Sequence, residues 1–89
     1  MKSFQSSFGP IELTDERQEH ILKFHPEIRA YKKYFKGTIS DYTIIKHSKY
    51  DPVVVILYKQ LPKSKYLAIV VRLENSRNFI LTAYLTSKI

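Results

Sequence analysis

His20, His25 and His47 are the only side chains of this chain that titrate near neutrality without help. Arg17 stands one helical turn before His20 and would share its face. Further along, Thr82, Tyr84 and Thr86 alternate with Ala83 and Leu85, and Arg72 takes the polar side of the preceding apolar run. Groups of these types can break RNA without a metal. A base removes the ribose 2′-hydroxyl proton, a cation stabilises the charged phosphorane, and an acid protonates the leaving 5′-oxygen. Histidine, arginine or lysine, threonine and tyrosine can fill those roles.

Each residue also has a plainer reading. A histidine before a proline, as in His25-Pro26, often serves as a helix N-cap, and His20 fits a surface position. Arg72 can pair with Glu74 on an exposed sheet face. Ala68 and Val70 share its side of the strand, however, which makes its setting half-buried and calls for an anionic partner. Thr82, Tyr84 and Thr86 are good β-formers in their own right. Tyr58 and Lys59 straddle the two faces of one strand, so only one of them can point at a site there. The chain holds seven tyrosines, and some of these rings can stack bases as aromatic platforms do on RNA-binding sheets.

Other chemistries find little support. The eight carboxylates are scattered, and four of them (Glu12, Asp15, Glu16, Glu19) crowd one helix start where capping explains them. No pair stands at metal-clamp spacing, which argues against a two-metal nuclease. His20 and His25 are separated by five positions, not four, so a zincin-type pair fails. With only Gly9 and Gly37 there is no glycine-rich phosphate loop. No metal or cofactor is called for.

The positioning elements follow from length and pattern. At 89 residues the chain reads as a single domain, 1–89. The net charge of +7 and a pI near 9.7 favour a polyanionic partner. Absence of cysteine suits a reducing cytoplasm. The N-terminus lacks the apolar run of a signal peptide, and no stretch is long enough to cross a membrane. Residues up to Pro10 read as a loose lead-in, and Ile11 and Leu13 as a short extended piece. Thr14 is a helix N-cap followed by Asp15 and Glu16. Ile21, Phe24, Ile28, Tyr31 and Phe35 recur at helical spacing, interrupted by Pro26. That pattern predicts helices over 15–24 and 26–36, with Gly37 closing the second. Strands follow over 43–48, 53–60, 65–74 and 78–86, the last two joined by a hairpin-length link at 75–77. The expected fold is α+β: two N-terminal helices on one face of a four-stranded antiparallel sheet. Leu67, Ile69, Val71 and Leu73 would meet the helices together with Phe79, Leu81, Ala83 and Leu85. Arg72, Thr82, Tyr84 and Thr86 would lie on the uncovered face.

The run Leu13-Thr14-Asp15-Glu16-Arg17-Gln18-Glu19-His20-Ile21, then His25-Pro26-Glu27, then Ile80-Leu81-Thr82-Ala83-Tyr84-Leu85-Thr86-Ser87-Lys88, resembles the phage-associated members of the barnase/EndoU/colicin/RelE-like nuclease superfamily. Such sequences carry an "ER..HI...HPE" helical start, a strand ending in a basic residue, and a closing "TAY.T.K" strand. Leu85 stands where relatives often have proline, and Arg72 fills the basic position. The resemblance implies N-terminal helices on a four-stranded antiparallel sheet. It also implies metal-independent RNA cleavage leaving a 2′,3′-cyclic phosphate, in toxin–antitoxin or phage-conflict settings. Carried over, His20 and then His25 move protons, Arg72 stabilises the phosphorane, and Thr82 and Tyr84 orient the phosphate. Arg17, Tyr58, Lys59, Thr86 and Lys88 would contact the RNA. Two alternatives stand beside the ribonuclease. One is a non-catalytic nucleic-acid-binding module on the same face. The other is an interaction domain that docks an acidic partner such as an antitoxin or immunity protein.

Overall fold

The computed structural model describes residues 1–74 and 77–89. Helix α1 spans Asp15–Phe24. Its N-cap is Thr14, whose hydroxyl accepts a hydrogen bond from the Arg17 amide at 3.2 Å, with Asp15 and Glu16 in the first turn. The helix stops because Pro26 opens the next one and disfavours helical backbone at His25.

The second helix departs from expectation. Pro26–Tyr34 is a 3₁₀ helix, and a short α-helix, α2, continues over Phe35–Ser40. Gly37 therefore lies inside α2 rather than closing a helix. Packing carries the chain past it: Thr38 and Ile39 are fully buried, and the Thr38 hydroxyl donates to the Tyr34 carbonyl at 2.8 Å. Phe24, expected in the core, is 60% exposed, because it falls on the last residue of α1. Ile21, Ile28 and Phe35 carry the buried face instead, and Tyr31 is half-buried beside them.

The sheet is not four-stranded and antiparallel. It has six strands in the order β1-β2-β6-β5-β4-β3 and is mixed. The strands are β1 Lys2–Phe4, β2 Ile11–Leu13, β3 Ile44–His47, β4 Val54–Leu61, β5 Lys65–Leu73 and β6 Asn78–Thr86. The residues read as a lead-in form β1 and the turn into β2. That turn closes through a Gly9 amide to Ser6 carbonyl hydrogen bond of 3.0 Å, with Gly9 at φ +96°, a backbone region that favours glycine. Strand β2 then pairs in parallel with the start of β6. Ile11 and Leu13 bury their side chains, and the Asn78 side chain ties the turn to β6, its Nδ2 donating to the Phe8 carbonyl at 2.9 Å. The pairings β3–β4, β4–β5 and β5–β6 are antiparallel, as expected. Glu74 and Arg77 exchange backbone hydrogen bonds at the β5–β6 connection; Asn75 and Ser76, within the expected link, lie outside the described residues.

Register decides which side chains share a face, since directly opposed residues point the same way. The core takes Val55, Leu57, Leu67, Ile69, Val71, Ile80 and Ala83 from the sheet against Ile21, Ile28, Phe35 and Ile39 from the helices. A β-bulge interrupts the β5–β6 ladder at Val70/Val71, where Val70 opposes Thr82 but Val71 opposes Ile80. The extra residue is Leu81. The alternation over 78–86 therefore changes sides at the bulge. Ile80, expected to point outward, is fully buried, whereas Leu81 is only half-buried. Phe79, expected in the core, stands opposite Arg72 on the other face. No helix among the described residues is long and apolar enough to cross a membrane.

Candidate functional site

The face of the sheet away from the helical core carries three cross-strand rows. Tyr58, Ala68 and Tyr84 form one, Ile56, Val70 and Thr82 the next, and Val54, Arg72 and Phe79 the last. Tyr66 and Thr86 extend the first end by a further row with Gln60. Tyr58 and Tyr84 flank Ala68 in its row; Ala68 is fully buried and Tyr58 only 5% exposed. Tyr58 meets Tyr66 edge-on, with ring centroids 6.4 Å apart. Burial pushes the Tyr58 hydroxyl above its ordinary pKa, and the charge and hydrogen-bonding influence of Tyr84 push it the same way. The Tyr58 hydroxyl therefore keeps its proton at neutral pH, with Tyr84 beside it.

His25 reaches this tyrosine end from the helical side. Its ring centroid lies 6.1 Å from that of Tyr84. The helix break at Pro26 places it there: His25 caps the end of α1, donating its amide to the Ile21 carbonyl at 2.7 Å, and precedes the 3₁₀ helix that packs on β6. The Glu27 carboxylate lies 3.6 Å from His25 Nδ1, close enough to bias the orientation of the ring. Thr82 sits one row away from Tyr84 on the same face.

Arg72 lies at the other end. Its Nη1 donates to Asp51 at 2.9 Å, and its Nε lies 3.4 Å from Glu74. The Glu74 contact is the pairing that the sequence predicts, whereas Asp51, from the turn before β4, is a carboxylate that no local pattern announces. Arg72 is four residues along β5 from Ala68, on the order of 13 Å at about 3.3 Å per residue. The face thus separates Arg72 from His25 and Tyr84, with Thr82 between them.

The remaining candidates are dispersed. His20 is exposed on α1 and packs at a tilt against Phe24, with ring centroids 4.7 Å apart. It shares an open cleft of about 430 Å³ with Arg17, Glu16, Glu19 and Lys23, so the expected Arg17–His20 neighbourhood exists, apart from the tyrosine rows. Lys59 points to the helical side and donates to the Asp41 carbonyl at 2.9 Å; Tyr58 is the member of that pair on the open face. The Thr86 hydroxyl is occupied at the chain end, donating to the Lys88 carbonyl at 2.8 Å and accepting from the Lys88 amide at 3.1 Å. Lys88 is exposed. His47 ends β3, across the sheet from β6. Tyr66 is not among the residues expected here, although the period-two series Tyr66, Ala68, Val70, Arg72 places it on this face. Among the described residues no group of three or more His, Asp or Glu side chains is placed to hold a metal ion.

Chemically, the tyrosine end offers an imidazole beside one of two neighbouring phenols, with a threonine hydroxyl in the adjoining row. The Arg72 end offers a cation already balanced by carboxylates. In comparisons with known proteins, no protein-family model, no curated protein and no solved structure matches this chain.

Proposed function

We propose that this chain is a metal-independent endoribonuclease with its centre at the tyrosine end of the open sheet face. The observation that carries the reading is the approach of His25 to Tyr84, in the row next to Thr82. Neutral His25 takes the proton of the ribose 2′-hydroxyl as the 2′-oxygen attacks phosphorus. The bond from phosphorus to the 5′-oxygen breaks, and the Tyr84 hydroxyl, next to Tyr58, protonates that leaving oxygen. The products are a 2′,3′-cyclic phosphate and a 5′-hydroxyl; water returns Tyr84 and His25 to their starting states. Thr82 donates to a non-bridging phosphate oxygen. Arg72 holds a neighbouring phosphate rather than the scissile one, because Asp51 and Glu74 already engage it. The likeness to RelE-like nucleases supports the same chemistry, with His25 rather than His20 as the proton-transfer group.

A second reading has an observation of its own. The neutralised Arg72 leaves the face without a free arginine for the phosphorane, which suits a non-catalytic RNA-binding module. The two are separated by incubating purified protein with single-stranded RNA in the presence of a chelator. Cleavage to cyclic-phosphate ends that His25→Ala abolishes supports the ribonuclease. Salt-sensitive binding with intact RNA under every condition favours the module.

A further inference from the structure

Four cations on the helical side form a second feature that the tyrosine face does not explain. The β1–β2 register opposes Lys2 to Leu13, which turns Lys2 toward the helices while Ser3 turns away with Glu12. Arg29 and Lys32 are three apart in the 3₁₀ helix, and side chains at that spacing eclipse one another. Lys36 follows one turn later in α2. Lys32 is anchored beside Leu13 and Phe35 at the rim of a small apolar hollow. Lys2 and Lys36 flank an open cleft of about 510 Å³ between β1 and α2. Burial holds the Lys32 ammonium below its ordinary pKa, and the nearby charges of Lys2 and Arg29 act in the same direction. Among the described residues none of these four cations takes part in an ion pair; the carboxylates of Asp15, Glu12 and Glu27 engage the N-terminal amine, Arg77 and His25.

Like charges gathered without a counter-ion gain most from an anion that can touch several of them at once. The row also has a direction. It begins at Arg29, four residues after His25 in the helix that His25 precedes, and the nine residues Pro26–Tyr34 extend roughly 18 Å at about 2 Å per residue. We propose that Lys2, Arg29, Lys32 and Lys36 form a phosphate rail that holds the single-stranded RNA leading away from His25. The inference rests on the ribonuclease reading for the identity of the strand and assigns it a preference for long substrates over dinucleotides.

The test uses the full chain and a non-cleavable 2′-O-methyl RNA, long or dinucleotide, in a salt series. The variant Lys2→Ala/Lys32→Ala/Lys36→Ala should lower the salt slope of long-RNA binding by about 0.7 per lost contact, roughly two in all. Cleavage of a dinucleotide should persist. Should the triple variant fail to fold by circular dichroism, Lys2→Glu/Lys36→Glu, confined to exposed positions, should lower the slope by about 0.7 for each of its two lost contacts, roughly 1.4 in all. An unchanged slope for long RNA overturns the rail. So does lost binding to polyglutamate with RNA binding intact, which would make this an acidic-protein surface. Loss of dinucleotide cleavage in the folded variant also overturns it, because these lysines would then serve the centre itself. If the wild type never cleaves but the slope falls as stated, the rail stands as an RNA contact and the ribonuclease reading fails.

Discussion

The two ends of the open sheet face carry polar groups of different standing. At one end Arg72 is held by Asp51 and Glu74, so its charge is largely answered within the fold. At the other, His25, Tyr84 and Tyr58 are gathered with one carboxylate, Glu27, 3.6 Å from the imidazole Nδ1. The bulge at Val70/Val71 lies between the two ends and turns Phe79 onto the Arg72 side. Positive charge in a sequence is therefore a poor guide to positive charge available to a ligand. What matters is whether folding delivers a carboxylate to it.

The comparison fails most visibly if the wrong end is active. His25→Ala should slow RNA cleavage by about 10²- to 10⁴-fold and remove one limb of the pH–rate profile. Arg72→Ala should cost less than about tenfold, since Arg72 is already engaged and is not given the scissile phosphate; a removed transition-state donor would cost about a hundredfold or more. Rates measured on one RNA for both variants decide it, and the reverse order would move the centre to Arg72.

The bulge that divides the two ends can be checked by stability. Ile80→Ala should lower unfolding free energy by about 2 to 5 kcal/mol, as for a fully buried large-to-small change. Leu81→Ala should cost clearly less, because Leu81 is half-buried at the bulge. Urea titrations of both variants measure this. Equal losses would mean that regular alternation continues through Leu81 and that Phe79 belongs with the core.

The tyrosine end should also show in alkali. The folded-state pKa of Tyr58 is raised above its ordinary value of 10.0. The stability linked to its neutral form is therefore complete below that pH and is lost as the pH rises through the folded-state value. Thermal melts from neutral pH upward should show a decline above about pH 10 that is smaller in Tyr58→Phe. An identical decline in both proteins would place the titrating group elsewhere.

The smallest effect belongs to the Arg72 end. Asp51 and Arg72 are each more than a third exposed at their side chains. Breaking the pair with Asp51→Asn should therefore cost only about 0.2 to 1 kcal/mol, and less in high salt. The same change frees part of Arg72, so RNA affinity at low salt should rise slightly. A fall in affinity would show that Asp51 orients Arg72 toward the ligand.

Local rules made much of this legible. Thr14 with Asp15 and Glu16 marks a helix start, and α1 occupies 15–24 as the pattern predicts. The alternation Leu67, Ile69, Val71 fixes a strand and its buried side, because period two is a property of the extended chain itself. The span 78–86 is likewise strand throughout. Where the reading missed, non-local partners decided. Nothing within Met1–Pro10 announces a strand; β1 exists because a turn at Gly9 folds it onto β2, and β2 finds an open edge on β6. No pattern within 78–86 reveals the bulge, which arises from fitting β6 to β5 and β2 together.

For the site, the sequence determines that His25 stands at a helix break before Pro26, that Arg72 and Tyr66 share a strand face, and that the chain is strongly basic. Only the tertiary structure decides which of these groups meet. It brings His25 to Tyr84 by packing the 3₁₀ helix on β6, and it gives Arg72 to Asp51, twenty-one residues away. It also brings Lys2 beside Lys32 across the β1–β2 register. Backbone periodicity is written residue by residue. Charge neutralisation and convergence depend on pairs distant in the chain, and no local preference specifies them.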